Sequence, residues 1–408
     1  MKIRNTALAA ILGLTIAVQA SASGPYQIVG TTESRTGNLV RTEYTIKVGS
    51  HPLDRFRMVR LVKNGNPSAL RGSILLLPPL GPTYPFYEQR DENGGVGTAM
   101  TEFFALRGFD VYGYAPRMEG LPAGTCEAGL LDCSVMAGWN LASMVDDIAF
   151  IRSQIELLHP GTKIVAGGAS LGGMLAVAVA NAHPDDYDGI IVWEGMLYSQ
   201  DPQVLALNQG YCAALEAQIA AGAVYDGVGT NVFREVAKQA RLSPTGLTPI
   251  PLFPPFLTSH QVMVLLLSTP SPGPISMPVP DYIQMNGSLA EDRLFFASEP
   301  RIFENVIGQF NSYSPNPLVR DISCSLAGVE TAYTSNLGSY TGAVLVIGGG
   351  RGFGSHMEDQ IARFSGTADK TVLIKPQFGH IDHFMTKHHR NFVEKPIFDW
   401  ATRVFGKD

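Results

Sequence analysis

The segment Gly168-Ala-Ser-Leu-Gly172 places a serine in the pattern G-x-S-x-G. It follows the short apolar run 163–166 and precedes residues 174–182, a helix-forming stretch. A serine on such a tight strand-to-helix turn has its hydroxyl raised above the sheet, where it can act as a nucleophile. The pattern therefore predicts that Ser170 attacks a carbonyl carbon. The N–H of Leu171, at the start of the helix, would then stabilise the oxyanion.

The elements that must position this serine are short apolar runs separated by helical stretches. The runs lack alternation, which is typical of strands buried on both faces; they are residues 73–77, 110–115, 163–166, 189–193, 343–347 and 371–374. Apolar residues recur with a period near 3.6 over 141–158, and shorter helices are predicted at 98–107 and 396–405. Residues 26–64 alternate and predict edge strands. Together they predict an α/β fold with a mostly parallel central sheet flanked by helices.

With this arrangement the sequence resembles the α/β-hydrolase fold superfamily over residues 70–198 and 340–408. The resemblance rests on three motifs: the Gly168–Gly172 turn, the strand end Leu75-Leu-Leu-Pro-Pro-Leu-Gly81, and Gly379-His380 after the last strand. It implies a serine hydrolase with an inserted cap, and no closer family is identified.

The predicted domain organisation follows from where the alternation of strands and helices stops. We expect an α/β-hydrolase core at residues 23–198 and 338–408, and a mainly helical, proline-rich cap or lid at 199–337. Helical pieces are predicted at 202–221 and 231–241. Residues 242–280 contain ten prolines and no Asp, Glu, Lys or Arg. Phe256 and the run 262–267 in this tract are too apolar to be expected in water.

The general base is predicted to be His380, since this fold supplies the histidine from the loop after the last strand. The chain has nine histidines, so position must decide, and His383 is the alternative. His380, Asp382 and His383 could also form a metal site. No second ligand cluster and no C-x-x-C motif accompanies it, so no metal is expected.

The triad acid is the least determined position. The fold usually supplies it after the strand 343–347, but the loop there has no acid before Glu358 and Asp359. Glu358 follows Ser355 by three residues, the spacing of a helix capping box. A rarer arrangement in the superfamily puts the acid after the preceding strand, where Glu194 follows a buried apolar run and needs a partner. We therefore predict Glu194, with Glu358 and Asp359 as the alternative acids.

The resemblance also predicts the second oxyanion donor, in the segment after the strand that ends at Leu77. The family often has His-Gly where this chain has Pro78-Pro79. Prolines have no N–H to donate, so the backbone of Leu80 is the predicted donor, with Gly81 as the other option.

The four cysteines allow three complete pairings. The favoured pairing joins Cys126 to Cys133 and Cys212 to Cys324. Export permits disulfides. Residues 1–22 predict a cleaved signal peptide with a basic start, an apolar stretch over 6–18 and small residues at its end. We expect a secreted or periplasmic protein. The apolar stretch is shorter than the roughly 20 residues of a membrane span, so no stable anchor is expected.

Composition excludes several function classes. The chain is 45% hydrophobic and 16% charged, with a net charge of −6, which argues against disorder and nucleic-acid binding. The glycine-rich loop 348–354 lacks the ordered dinucleotide fingerprint, so no cofactor is expected.

The predicted reaction is hydrolysis of a carboxylic ester through an acyl-enzyme on Ser170. The uncharged tract 242–280 favours a small-molecule ester with a hydrophobic acyl or aryl part.

Two other functions are compatible with the same sequence. The same residues could cleave amides, peptides or thioesters, or the chain could be a non-catalytic binding protein on a hydrolase fold. The sequence does not predict the physiological ester or the oligomeric state.

Overall fold

The computed structural model describes residues 25–406 apart from 66–70, 82, 92–93, 123, 227, 252, 269–293 and 309–312. The predicted signal peptide, residues 1–22, lies outside the described residues, as does the proline-rich tract from 269 onwards. No helix in the described part is both long and apolar enough to cross a bilayer.

In the described part of the chain, nine strands form one mixed sheet, and two further strands form a small separate pair. The strands are β1 (Tyr26–Thr36), β2 (Leu39–Val48), β3 (Arg55–Lys63), β4 (Ser73–Leu77), β5 (Asp110–Ala115), β6 (Ile164–Ala169), β7 (Gly189–Trp193), β8 (Tyr225–Asp226), β9 (Ser314–Pro315), β10 (Ala343–Gly349) and β11 (Lys370–Lys375). The sheet order is β1-β2-β3-β5-β4-β6-β7-β10-β11, while β8 pairs with β9. Pairing is antiparallel from β1 through β5 and parallel from β5 to β11. The expected mostly parallel α/β sheet is confirmed.

Helices cover both faces of the sheet. They are α1 (Met100–Leu106), α2 (Leu141–Leu158), α3 (Leu171–Ala182), α4 (Pro202–Ala220), α5 (Val228–Leu242), α6 (Ser259–Ser268), α7 (Glu299–Ile302), α8 (Asn316–Leu326), α9 (Glu358–Arg363), α10 (Asp382–Met385) and α11 (Lys395–Phe405). Their ends follow local chemistry: Asn140 and Ser143 form a reciprocal capping box at the start of α2. Gly406, at φ 65°, ends α11 in the left-handed conformation.

The core has two layers, one on each face of the sheet. Helices α2 and α3 pack on one face through residues such as Ile148 and Leu175. Helices α1 and α11 pack on the other through Phe104 and Trp400. Because the central strands are covered on both sides, β4 through β7 and β10 are buried along their length, which explains their unbroken apolar sequences.

Two expectations about burial are wrong. Strand β11 is not buried on both faces: it is the last strand of the sheet, and Val372 within it is 45% exposed. Phe256 is 75% exposed, although its neighbours along the tract, such as Val262 and Leu267, are buried in the core layer of α1 and α11. A short apolar run shows that a segment is hydrophobic. It does not show how many other segments pack against it in the fold.

Helices α4 to α8 and the β8–β9 pair lie between β7 and β10 in the chain. The favoured cysteine pairing is present. Cys212 of α4 is bonded to Cys324 of α8, and Cys126 is bonded to Cys133 in the loop before α2. Helices of this segment contribute to both core layers, so the division into core and cap stays a prediction.

Candidate active site

Ser170 lies on the tight turn between β6 and α3 and has a strained backbone. Its φ of 55° and ψ of −114° lie outside the regions that serine normally adopts. Its N–H donates to the carbonyl of Trp193 at 2.8 Å. A Cβ on Gly168 or Gly172 would lie 2.0 or 2.1 Å from the Leu77 carbonyl oxygen, so both flanking positions require glycine. Close packing between neighbouring strands thus holds the turn in its strained form.

His380 connects the serine to a carboxylate. Its Nε2 lies 3.1 Å from Ser170 Oγ, and its Nδ1 lies 2.9 Å from Glu194 Oε2. The imidazole is 4% exposed and packs edge-on against Phe353, with ring centroids 4.9 Å apart. A proton on Nδ1 leaves Nε2 as the acceptor for the serine hydroxyl, which is the geometry of a nucleophile with its base.

Glu194 is fully buried and held by several groups at once. Its Oε1 accepts from the N–H of Gly349, and its Oε2 accepts from the N–H of Phe353 at 2.9 Å as well as from His380. Its own N–H donates to the carbonyl of Ile347 at 2.9 Å. A buried carboxylate needs such partners, and here they fix its orientation toward the histidine.

The carboxylate reaches the loop after β10 from the end of the neighbouring strand β7. Glu194 has φ 50°, and it and Ser170 are the two non-glycine residues with positive φ in the described part of the chain. A Cβ on Gly352 would lie 2.4 Å from Glu194 Oε2. The glycine-rich loop therefore leaves room for a carboxylate supplied by another strand.

The two alternative acids lie elsewhere. Glu358 is exposed at the first position of α9, and Asp359 accepts from the N–H of Gln200 at 2.6 Å. The predicted capping box is wrong, because the residue before α9 is Met357 and no side chain caps this helix. The Ser355 hydroxyl instead donates to the Gly352 carbonyl at 3.2 Å.

The two predicted oxyanion donors differ in what the structure says of them. Leu171 is the first residue of α3. At this position the backbone N–H has no acceptor within the helix and points outward from the helix N-terminus. Leu80 follows two buried prolines and packs partly buried against the core layer of α2 and α3. Its role as the second donor stays a prediction.

Tyr87, which no sequence motif indicates, contacts both strand ends at the site. Its hydroxyl donates to the carbonyl of Leu77 at 2.7 Å and accepts from the N–H of Ala169 at 2.9 Å. The only available signal was the aromatic segment Tyr84-Pro-Phe-Tyr87, and aromatic residues alone do not reveal which backbone groups a hydroxyl will meet.

The residues of the possible metal site, His380, Asp382 and His383, make separate contacts in the structure. The Asp382 carboxylate accepts from the N–H of Gly379 at 2.7 Å, while His380 is bound to Glu194. Among the described residues, one group of possible ligands lies within ligand distance of one another, namely Cys212, Glu216 and Cys324, and its cysteines form a disulfide.

Comparisons with known proteins agree with the architecture. No protein-family model and no curated protein matches the sequence. Among solved structures, a lipase candidate from Sulfolobus solfataricus is similar with a TM-score of 0.63 and 15% identity, covering 92% of this chain and 99% of that one. A thermostable carboxyl esterase from Bacillus coagulans gives 0.54 and 14%, covering 94% and 100%. A lipase in an open form gives 0.51 and 12%, also covering 94% and 100%. At such identities the likeness shows a shared fold.

His383, the alternative base, is buried without a hydrogen-bond partner. Neither of its ring nitrogens meets a donor or acceptor among the described residues, and the ring packs against Phe378 with centroids 4.8 Å apart. Burial lowers the pKa of His383 to about 3, with further contributions from the neighbouring His380 and Lys375 side chains. A histidine held neutral in this way is a core residue.

This burial predicts a pH-dependent loss of stability. The unfolded chain takes up a proton on His383 below pH 6.5, whereas the folded chain resists it until about pH 3. The contribution of His383 therefore falls as the pH drops, by about 2.5 kcal/mol between pH 6 and pH 4. Urea unfolding at both pH values should show His383→Leu losing about that much less than wild type. His388→Leu, at an exposed position, is the control and should behave as wild type. Equal losses for wild type and His383→Leu would contradict the assignment.

Proposed function

We propose that this protein, which has the α/β-hydrolase fold, is a secreted serine hydrolase that cleaves carboxylic esters through an acyl-enzyme on Ser170. The observation that carries the proposal is the position of the His380 ring, 3.1 Å from the Ser170 hydroxyl and 2.9 Å from the Glu194 carboxylate. Two disulfides in the described chain are compatible with an exported protein.

In the first half-reaction, His380 Nε2 takes the proton of Ser170 Oγ as the oxygen attacks the ester carbonyl. The imidazolium that forms is stabilised by the buried Glu194 carboxylate 2.9 Å from Nδ1. The N–H groups of Leu171 and Leu80 bind the negative oxygen of the tetrahedral intermediate. His380 then gives its proton to the departing alcohol, and the acyl group stays on Ser170.

In the second half-reaction, His380 removes a proton from water, which attacks the acyl-enzyme. Collapse of the second tetrahedral intermediate releases the carboxylic acid and returns the proton from Nε2 to Ser170 Oγ. The groups used are the same in both halves, so one preorganised site serves the whole cycle.

The preference for a hydrophobic acyl or aryl part is supported by aromatic rings around the base. Phe353 and Phe384 lie edge-on to the His380 ring, at centroid distances of 4.9 and 6.3 Å. Phe378, two residues before His380, packs against Phe296 with ring centroids 4.5 Å apart. These rings make the surroundings of the base apolar, and apolar surroundings with a few polar groups are typical of sites for hydrophobic small molecules.

Labelling by a fluorophosphonate tests the proposed nucleophile. Wild type should be labelled once, on Ser170, and Ser170→Ala should not be labelled although it folds, because the phosphorus atom mimics the attacked carbonyl carbon. Mass spectrometry of peptides identifies the modified residue, and circular dichroism checks the fold. Labelling of Ser170→Ala would contradict the assignment of Ser170 as the nucleophile.

A panel of nitrophenyl esters tests the substrate class and should show higher kcat/KM for medium or aryl acyl groups than for acetate. Cleavage of amides or thioesters but not esters would contradict the substrate class, and a preference for acetate would contradict the acyl preference.

The proposed acid is tested by two isosteric substitutions. Glu194→Gln should lower kcat by about 10³–10⁴-fold, because the amide cannot stabilise the imidazolium and can select the wrong imidazole tautomer. Glu358→Gln, on the exposed end of α9, is the matched control and should keep kcat within about twofold of wild type. An inactive Glu358→Gln together with an active Glu194→Gln would assign the acid to Glu358 instead.

A further inference from the structure

Tyr87 connects the ends of the two strands that lead to the predicted oxyanion donors. It lies in the 3₁₀-helix Tyr84–Glu88 and is 2% exposed. Its hydroxyl is inserted between β4 and β6, donating to the Leu77 carbonyl at 2.7 Å and accepting from the Ala169 N–H at 2.9 Å. Leu77 is the last residue of β4, and Ala169 immediately precedes the strained Ser170.

The Leu77 carbonyl has no free space around it. A Cβ on Gly168 would lie 2.0 Å from this oxygen and 2.6 Å from the Tyr87 hydroxyl, and a Cβ on Gly172 would lie 2.1 Å from the same oxygen. The hydroxyl and the two glycines of the turn thus enclose one carbonyl group. A displacement of that carbonyl would move the segment leading to Leu80 relative to the turn that carries Leu171.

Tyr87 is itself held from the outside. The N–H of Tyr84 donates to Glu119 at 3.0 Å, and Glu88 forms an ion pair with Arg41 of β2 at 2.6 Å. The ring of Phe86 packs edge-on against Tyr87, with centroids 5.3 Å apart. The short helix therefore presents the hydroxyl from an anchored position rather than from an unsupported loop.

We infer that Tyr87 is a positioning residue that fixes the spacing between the two oxyanion donors, the N–H groups of Leu171 and Leu80. The inference rests on the proposed function. Removing the hydroxyl takes one partner from a buried carbonyl and one from a buried N–H, and the two strand ends relax in response. Donors that bind a developing oxyanion tolerate little displacement, so the effect falls on the transition state rather than on substrate binding.

The test compares Tyr87→Phe with Tyr340→Phe. Tyr340 is also fully buried, and its hydroxyl also donates to a backbone carbonyl, that of Tyr187 at 3.3 Å, but it precedes β10 at the opposite end of the parallel strands. Tyr87→Phe should lower kcat by about 10–100-fold with KM within about twofold of wild type. The inhibition constant of an alkylboronic acid, which mimics the tetrahedral intermediate, should rise by the same factor as kcat/KM falls. Tyr340→Phe should keep kcat within about twofold despite losing a buried hydrogen bond.

The other possible results would contradict either the positioning role of Tyr87 or the proposed function. A folded Tyr87→Phe with wild-type kcat, or one that loses no more kcat than Tyr340→Phe, would overturn the positioning role. An increase in KM alone would do the same. If Tyr87→Phe does not fold, Tyr87→p-aminophenylalanine replaces it, since its amine donates to Leu77 but accepts poorly from Ala169. Its kcat should fall by about 3–30-fold, and a wild-type kcat would overturn the inference. Failure of the fluorophosphonate to label Ser170 in wild type would instead count against the proposed function.

Discussion

The structure of the site depends on one buried carboxylate, Glu194, and on the groups that satisfy it. A fully buried carboxylate is costly unless its oxygens are paired, and here two backbone N–H groups and one imidazole pair them. The N–H groups belong to Gly349, the last residue of β10, and to Phe353 in the loop after it, whereas the carboxylate directly follows β7. The interaction therefore ties two neighbouring strands to the loop of His380. It also accounts for Gly352, where any side chain would collide with the carboxylate.

Close packing between neighbouring strands also holds the backbone of Ser170 and Glu194. Ser170 and Glu194 both have positive φ, and each directly follows the last residue of a strand, β6 or β7. The N–H of Ser170 donates to the carbonyl of Trp193, and the N–H of Glu194 donates to that of Ile347, so each strained residue is bonded to the next strand. Strain at a functional site persists only when the surroundings determine it, and a sheet packed on both faces provides such surroundings.

Much of this could be predicted from the sequence, and the exceptions have physical reasons. The bounds of β4, β5, β7 and α2 agree with the predicted ones, because buried strands and amphipathic helices carry strong periodic signals. Glu194 is indicated by its position, as a carboxylate that follows an apolar run and must have a partner. The hydrogen bonds of Tyr87, the exposure of β11 and of Phe256, and the absent cap of α9 depend on which segments become neighbours in space. Local sequence does not contain that information.

The hydrogen bond between Glu194 and His380 is tested most directly by proton NMR of the protein with isotope-labelled histidine. We expect a far-downfield resonance from the Nδ1 proton of His380, because that proton lies against a buried carboxylate. A second such signal is expected from the buried pair of His389 and Glu394, which serves as an internal control. In Glu194→Gln the His380 signal should disappear or move strongly upfield while the His389 signal stays. A His380 signal that is absent from wild type, or unchanged in Glu194→Gln, would contradict the hydrogen bond between Glu194 and His380.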